Sequence, residues 1–362
     1  MIDVSKRLEE VGEFALIRDL VLPLAREHGV GGYEGDDCAF LPAREGYLAF
    51  SADTGPKPLL QSVPGYEEDY ESAGWLGAVA TISDLATAGV IPLSLTNCID
   101  APAHTPVSVL HDYLLGYFRA CKEFGFSNAG GDIRQNDDLS ITVFGTGQVQ
   151  GDRRIGRSTA KRGSRLVLLG RAGQLMASFL IAIEQSKKGQ SSDLDEDLLN
   201  ILRAPRPQIV EMAKLAAAGV IESASDTSDG LIGALINLTD SSNCGFDLEL
   251  SSGLLEGIVT EASSVSGFDP WNIFFCWGDW SVAATISQEH YDSFLRICES
   301  NRFDWVNLGT TTSHVGVLRS QVDGGPWQKL NPIRSENFTS TGFNAGLKAS
   351  IEYMLSAELF ER

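Results

Sequence analysis

Residues 226–250 read DTSDGLIGALINLTDSSNCGFDLEL, in which two carboxylates stand beside threonine, serine and glycine just ahead of an apolar run. The hydrophobic spacing predicts a helix over 229–241 and a strand over 246–250. Aspartate and serine at such a position often serve only as helix caps, and that interpretation stays open at this point. The alternative is a helix N-terminus that also holds a metal ion and phosphate.

Four further segments combine a carboxylate with glycine, serine or threonine beside an apolar run. They are Gly35-Asp36-Asp37, Ser51-Ala52-Asp53-Thr54, Ile82-Ser83-Asp84-Leu85 and Gly130-Gly131-Asp132. A charge without a partner is costly to bury in such surroundings. Clustered oxygen ligands without His or Cys suit a hard cation, and Mg²⁺ is commonly held by a few carboxylates plus substrate phosphates. The pattern therefore predicts nucleotide-dependent phosphoryl transfer.

The acid segments differ in how readily ordinary capping explains them. Asp37 and Asp53 lie where a plain turn or helix cap would also place an aspartate. Asp84 is harder to explain, because it lies inside an alanine-rich apolar helix, where aspartate has a poor propensity. Asp132 follows two glycines, which permit unusual backbone angles and the close approach of a ligand.

Composition bounds the class of protein. The chain has 362 residues, enough for two domains that each have a core, and 43% of them are hydrophobic. The net charge of −20 argues against nucleic acid or an anionic membrane as a partner. An anionic substrate must therefore be met by local positive charge, most simply by metal ions.

The six cysteines are scattered without a CxxC pair, which is typical of reduced thiols in an intracellular protein. The first residues lack the apolar run of a signal peptide. No apolar stretch approaches the ~18 residues that a membrane span needs. We therefore expect a cytoplasmic location.

Alternating helical and strand patterns predict two α/β or α+β layers. Predicted helices cover 11–27, 70–88, 106–124, 174–184, 207–218, 229–241 and 288–300, and predicted strands cover 47–51, 91–99, 139–149, 165–169, 246–250 and 282–286. Residues 57–70 are predicted as a long loop, with a lid as one alternative, and 186–197 as an exposed loop. The polar, basic stretch over 151–163 predicts a boundary between domains at 1–150 and 151–362.

Familiar catalytic motifs are absent from the sequence. There is no GxxxxGK[ST] loop, and the kinase signatures HRD and DFG are missing. The five histidines are isolated, and none has a neighbouring Ser or Cys that suggests a nucleophilic triad. The acid pattern is therefore the main chemical signal.

Taken in order, the motifs resemble a superfamily of ATP-binding enzymes that includes aminoimidazole ribonucleotide synthetase, selenophosphate synthetase, a hydrogenase-maturation dehydratase and, most similar, thiamine-monophosphate kinase. The resemblance rests on GDDCAFLP (35–42), SADT (51–54), ISDLATAG (82–89), GGDIR (130–134), ITVFGTGQV (141–149), GRSTAKRGSRLVLLG (156–170), APRPQIV (204–210) and 226–246, together with Gly12-Glu13-Phe14. It spans most of the chain.

The resemblance implies roles for individual residues. The expected Mg²⁺ ligands are Asp37, Ser51, Asp53, Asp84, Asp132, Asp226 and Asp229. The expected ATP contacts are Gly131, Asp132, Arg157 and Ser228. The expected catalytic residues are Asp53, Asp84, Asp132 and Asp229. The resemblance also implies that the N-terminal mixed sheet pairs across a two-fold axis to form a dimeric β-barrel beside a C-terminal α/β sandwich domain.

The acceptor side departs from the kinase pattern. Where the family has Gly-Gly-Glu-Asp-Tyr-Glu-Leu, this chain has WGDWSVA over 277–283. Asp279 stands near the place of the family's substrate-side glutamate, and Leu60 lies near the place of its substrate-contacting histidine. Asp279, Trp280, Leu60 and Phe343 are the expected substrate contacts.

The sequence therefore predicts a homodimeric phosphotransferase of the thiamine-monophosphate kinase type, with ATP and Mg²⁺ as cofactors and a small-molecule acceptor. One alternative is a ligase or cyclase on the same scaffold, which activates an amide or carboxylate oxygen as a phosphate. Another is a non-catalytic nucleotide-binding homologue. Thiamine monophosphate and a different small molecule both remain open as the acceptor.

Overall fold

The computed structural model describes residues 3, 5–29, 34–150, 153–189, 194–255, 257–339 and 346–361. Helices are α1 (Glu13–Leu16), α2 (Leu22–Glu27), α3 (Tyr70–Thr87), α4 (Val107–Phe124), α5 (Gln174–Lys187), α6 (Glu196–Arg203), α7 (Ile209–Ala217), α8 (Gly230–Ser242), α9 (Gly257–Ser266), α10 (Pro270–Phe275), α11 (Gln288–Asn301) and α12 (Leu347–Ser356). Strands are β1 (Ala39–Pro42), β2 (Tyr47–Thr54), β3 (Val90–Ala101), β4 (Ser127–Gln135), β5 (Ser140–Val149), β6 (Arg165–Leu169), β7 (Ile221–Asp226), β8 (Gly245–Leu250), β9 (Val282–Ile286), β10 (Trp305–Thr312), β11 (Leu318–Val322) and β12 (Gln328–Lys329).

The strands form two mixed sheets. The N-terminal sheet has the order β1-β2-β5-β3-β4, antiparallel except for the parallel pair β3 and β4. The C-terminal sheet has the order β12-β11-β8-β10-β6-β9-β7, with β11 and β8 as its parallel pair. This arrangement confirms a mixed α+β fold. Neither sheet closes on itself among the described strands.

Helix α3 packs closely because of its small residues. A Cβ added to Gly74 would lie 1.8 Å from the carbonyl oxygen of Tyr113 in α4, and one added to Gly77 would lie 2.6 Å from Ile141 in β5. Glycine at both positions lets α3 approach α4 on one side and the N-terminal sheet on the other. Apart from Asp84, every residue of α3 from Ser72 onward is buried. The helix is thus a fixed support for the acid that it carries.

The C-terminal sheet is covered by helices on both faces. In β6, Leu166 and Leu168 belong to one core cluster, whereas Val167 and Leu169 belong to another. Successive side chains of a strand point to opposite faces, so a strand that is buried on both sides is apolar throughout. That explains why RLVLL over 165–169 lacks the usual alternation.

Most of the predicted elements are confirmed within one to three residues at their ends. The main exceptions are the two predicted loops. Within 57–70, a short 3-10 turn over Leu59–Ser62 buries Leu59, Leu60 and Gln61 in the core, so this part of the segment is packed structure rather than a long loop. Within the described part of 186–197, Asp195 caps helix α6, which the sequence reading missed. Elements β1, β4, β7, α9, α10, β10, β11, β12 and α12 were missed as well.

Candidate active site

Three carboxylates converge where the two sheets meet. Asp37, Asp84 and Asp226 each offer an oxygen, and these three atoms lie within 4.8 Å of one another. Asp37 comes from the loop before β1, Asp84 from the last turn of α3 and Asp226 from the end of β7. These residues are called the acid cluster below. An all-oxygen donor set of this kind suits a hard divalent cation.

Serine hydroxyls hold the acid cluster in place. Ser51 Oγ, in β2, donates to Asp84 Oδ2 at 2.5 Å. Ser83 Oγ donates to Asp226 Oδ2 at 2.8 Å, and Ser228 Oγ donates to Asp226 Oδ1 at 3.0 Å. Because each hydroxyl donates to a carboxylate, the three serines favour the ionised form of the acids and fix their orientation.

Arg157 supplies local positive charge. Its guanidinium forms an ion pair with Asp37 Oδ1, and its backbone N–H donates to Asp36 Oδ1 at 2.7 Å. The Asp37 side chain is only 2% exposed. Its second oxygen, Oδ2, is buried and accepts no hydrogen bond from any described residue. Such an orphaned oxygen is expensive to bury and indicates a missing positive partner.

The raised pKa values of the acid cluster also indicate a missing positive partner. Burial raises the pKa of Asp37 to about 7, against the opposing pull of the Arg157 charge. Burial also raises the pKa of Asp226 to about 6, although the hydrogen bond from Ser83 opposes it. The pKa of Asp84 lies well above its usual range because of burial and the neighbouring charges of Asp226 and Asp37. A cation between these acids would reverse all three shifts.

Two further acids line an adjacent cavity. Burial raises the pKa of Asp53 and of Asp229 to about 6, and the negative charge of Glu13 adds to both shifts. Asp53 lies near the end of β2, and Asp229 is the N-cap residue of α8. With Glu13, they contribute to the lining of a cavity of about 820 Å³. That volume is ordinary for a small-molecule site.

Much of the remaining lining of this cavity is apolar. Its lining includes Leu59, Leu76, Leu175, Leu202, Pro205, Trp277, Trp280 and Leu347. Lys57 is the only Lys or Arg among the described lining residues. The cavity thus combines carboxylates with a largely apolar lining, and it reaches the acid cluster at Ser228, which donates to Asp226.

The expected substrate contacts lie in different surroundings, and not all of them line the cavity. Trp280 lines the cavity. Asp279 instead caps the start of α5, where its oxygens accept the N–H groups of Gly173 at 2.5 Å and Leu175 at 2.8 Å. Leu60 is enclosed in the core, while its neighbour Leu59 lines the cavity. Phe343 lies outside the described residues.

Gly131 and Asp132 are not part of the acid cluster. They lie on β4, an edge strand whose nine residues are all exposed. The Asp132 side chain is 62% exposed, and its Oδ2 lies 3.9 Å from Arg134 Nε. Sequence reasoning grouped Asp132 with the other acids because its glycine-rich setting resembles theirs. The sequence did not predict Glu13 and Asn337 as cavity residues. Both line the cavity, and Asn337 Nδ2 donates a 2.8 Å hydrogen bond to Glu13 Oε2.

Two family models match consecutive parts of the chain. Residues 35–149 match the AIR synthase related protein, N-terminal domain, and residues 161–319 match the AIR synthase related protein, C-terminal domain. The chain therefore belongs to the AIR synthase related proteins.

Named relatives are thiamine-monophosphate kinases. That of Corynebacterium glutamicum is 26% identical over 278 residues, which cover 75% of this chain and 80% of the relative. That of Aquifex aeolicus is 24% identical over 303 residues, which cover 82% of this chain and 93% of the relative.

Solved structures share the fold. Thiamine monophosphate kinase from Aquifex aeolicus superposes with a TM-score of 0.69 at 20% identity, covering 90% of this chain and all 100% of its own. AaThiL complexed with AMPPCP and TMP gives a TM-score of 0.74 at 21% identity, covering 92% and 99% of the two chains. Hydrogenase maturation protein HypE in complex with ATP gives a TM-score of 0.64 at 19% identity, covering 89% of this chain and 95% of its own.

None of the helices in the described ranges is both long and apolar enough to cross a bilayer.

Proposed function

We propose that this chain is a Mg²⁺- and ATP-dependent phosphotransferase of the thiamine-monophosphate kinase type, acting on a small-molecule acceptor. The observation that carries the proposal is the acid cluster, whose buried carboxylates include an orphaned oxygen on Asp37. Curated relatives with that activity in their name align over most of both chains, which supports the same reaction type.

The acid cluster fits Mg²⁺ by its chemistry. Asp37, Asp84 and Asp226 would hold the ion, and Asp53 and Asp229 would hold others along the phosphates. Bound Mg²⁺ neutralises phosphate oxygens and draws charge from the phosphorus under attack. Ser51, whose Oγ donates to Asp84 Oδ2 at 2.5 Å, orients that carboxylate and would be a further ligand of the ion.

Other residues bind and orient the nucleotide. Arg157 balances negative charge beside the acid cluster, and Ser228 lies at the start of α8, where the helix N-terminus attracts phosphate. Gly131 and Asp132 are proposed as ATP contacts on the strength of the resemblance alone, because β4 is an exposed edge. The acceptor occupies the cavity with its reactive oxygen beside the cavity's carboxylates.

The reaction is a direct displacement. The acceptor oxygen attacks the terminal phosphorus of ATP and forms a new P–O bond, while the bond from that phosphorus to the bridging oxygen breaks. ADP leaves with the electron pair of that bond, and where the acceptor oxygen is a hydroxyl, its proton passes to water. Positioning and charge neutralisation carry most of such a step, so no dedicated base is needed.

We also propose a homodimer that forms through the N-terminal sheet and closes it into a barrel across the two-fold axis. The support is the exposed β4 edge together with Ile91, Ile133 and Phe144, which leave apolar side chains on this sheet uncovered. The domain boundary is proposed within 151–163, between the two sheets. A cytoplasmic location is proposed, supported by six free cysteines.

Product analysis tests the reaction type. Purified protein is incubated with ATP, Mg²⁺ and a panel of acceptors, and products are followed by mass. A kinase leaves an acceptor that carries one more phosphoryl group, with ADP in equal amount. A product that forms with release of inorganic phosphate identifies the ligase or cyclase alternative. Nucleotide binding without turnover across the panel would contradict the kinase assignment.

A further inference from the structure

The acceptor side of the cavity is built from packed apolar groups. Leu175 lies in the first turn of α5 and Leu202 in the last turn of α6. Trp277 and Trp280 come from the segment between α10 and β9. All four side chains are at most 8% exposed. These four residues are called the apolar wall below. A wall of this kind binds by removing apolar ligand surface from water.

The backbone is shaped so that this wall can form. A Cβ at Gly278 would lie 2.4 Å from Leu175 Cδ2, so the missing side chain lets the 277–280 segment lie against α5. Trp280 adopts a φ of +54°, in the left-handed region that bulky residues rarely enter. Strained conformations of this kind persist only where the surrounding structure holds them, and they cluster at active sites and ligand clamps.

The apolar wall carries no charge of its own. Asp279 stands between the two tryptophans, but its carboxylate accepts backbone N–H groups of Gly173 and Leu175 at the start of α5. The nearest candidate cation among the described lining residues is Lys57, which follows the acid-bearing strand β2. A charged group held against the wall would therefore lose its hydration without an ionic partner among the four wall residues, and the carboxylates of Glu13, Asp53 and Asp229 line the cavity outside the wall.

We propose that the acceptor binds through an uncharged, apolar body of aromatic size, which packs against the apolar wall. This inference rests on the proposed function, because it places the acceptor's reactive oxygen beside Asp53 and Asp229 in the same cavity. Trp280 is a specificity-determining residue in this account. The competing outcome is a cationic ring held over the indole faces, because tryptophan also attracts cations.

A matched pair of probes separates the two outcomes. 2-(1-Naphthyl)ethanol and 1-(2-hydroxyethyl)quinolinium have the same bicyclic shape and the same hydroxyethyl arm, and they differ in the ring charge. Their dissociation constants are measured by equilibrium dialysis with the wild-type protein, Mg²⁺ and a non-hydrolysable ATP analogue. We expect the neutral probe to bind at least about ten-fold more tightly. Equal binding, or tighter binding of the cation, would overturn the proposal.

Two leucine variants on one helix test the wall itself. Leu175→Ala removes wall surface, whereas Leu180→Ala removes the same atoms from a residue of α5 that is equally buried and lies off the cavity. We expect Leu175→Ala to weaken the neutral probe by about ten-fold and Leu180→Ala to leave its affinity within about two-fold. Equal losses in the two variants would contradict the placement of the ligand.

Failure of this inference is distinguishable from failure of the proposed function. Binding of the ATP analogue with Mg²⁺ is measured on the same samples without probe. If the nucleotide binds and neither probe does, the apolar-body proposal is wrong and the phosphotransferase assignment stands. If the nucleotide does not bind, the proposed function fails. The ratio of the two probes' dissociation constants still decides whether the wall prefers a neutral or a cationic ring.

Discussion

Ser83 Oγ donates a 2.8 Å hydrogen bond to Asp226 Oδ2, across 143 positions of sequence. The bond joins the last turn of α3 to the end of β7, and so ties the N-terminal layer to the C-terminal sheet. The next residue, Asp84, takes a hydrogen bond from Ser51 in β2. The acid cluster is therefore assembled from elements that are separate in sequence and are held together by the packing of α3.

Removing one carboxylate should abolish turnover. We expect Asp84→Asn and Asp53→Asn each to lower the rate of phosphoryl transfer from ATP by at least about 100-fold, because each removes negative charge that would hold Mg²⁺. The measurement is ADP release at saturating ATP and Mg²⁺. Asp138→Asn, at an exposed position outside the acid cluster, is the control and should keep near wild-type activity. Full activity of the Asp84 variant would remove it from the metal site.

The acids should make the metal-free fold less stable as the pH rises. The pKa values of Asp226 and Asp229 are raised by burial to about 6, whereas unfolded aspartate titrates near 3.8. The folded state therefore binds more protons between these values, and the free energy of unfolding falls as the pH rises from about 4 to about 7. A shift of this size is worth about 1–3 kcal/mol per group.

Denaturant unfolding at pH 5 and pH 8, each with EDTA and with excess Mg²⁺, measures this effect. We expect the EDTA sample to be less stable at pH 8, and the gain from Mg²⁺ to be larger at pH 8 than at pH 5. Asp229→Asn should flatten the pH dependence of the EDTA sample. Rising stability from pH 5 to pH 8 without metal would refute the prediction.

The sequence indicated where the acids lie but not which of them meet. Local signals sufficed for Asp84, whose place inside an apolar helix demanded a partner, and for Asp226 at a helix start. Whether a residue at a glycine turn faces the cluster depends on tertiary packing, which is why Asp132 was grouped with acids that it does not join in this chain. The contact of Ser83 with Asp226 is likewise invisible in a local pattern.

The acceptor side was harder to predict for a related reason. Asp279 looked like a substrate ligand because it follows a glycine near the place of the family's glutamate. In the structure its oxygens accept two backbone N–H groups at the start of α5, and its contact with substrate stays a prediction. Helix α6 was missed because its many acids suggested an exposed loop, although Leu198, Leu199 and Leu202 carry a helical spacing and are buried.

The uncovered N-terminal sheet should mediate self-association. We expect a dimer by sedimentation at micromolar concentration, and we expect Ile133→Asp to shift it toward monomer, because a charge on the β4 edge opposes burial. Val315→Asp is the matched control, since Val315 is 59% exposed and Ile133 is 58% exposed. A wild-type protein that sediments as a monomer would contradict the proposed interface.

Thiamine monophosphate should be a poor acceptor. Its ring is cationic, and the apolar wall offers it Trp277 and Trp280 in place of polar partners, so its desolvated groups stay unpaired. We expect turnover well below the ~10 per second of ordinary metabolic enzymes. The assay follows thiamine diphosphate by mass at saturating ATP. A rate near that value would show that the change in the wall does not alter acceptor choice.

The central claim is that the acid cluster holds divalent metal beside the phosphates of ATP. The most direct measurement is a crystal structure with Mn²⁺ and a non-hydrolysable ATP analogue, in which anomalous scattering locates each ion. The account predicts a Mn²⁺ peak bound to carboxylate oxygens of Asp37, Asp84 and Asp226, in contact with the analogue's phosphates. Ordered nucleotide with no anomalous peak at these three residues would contradict it.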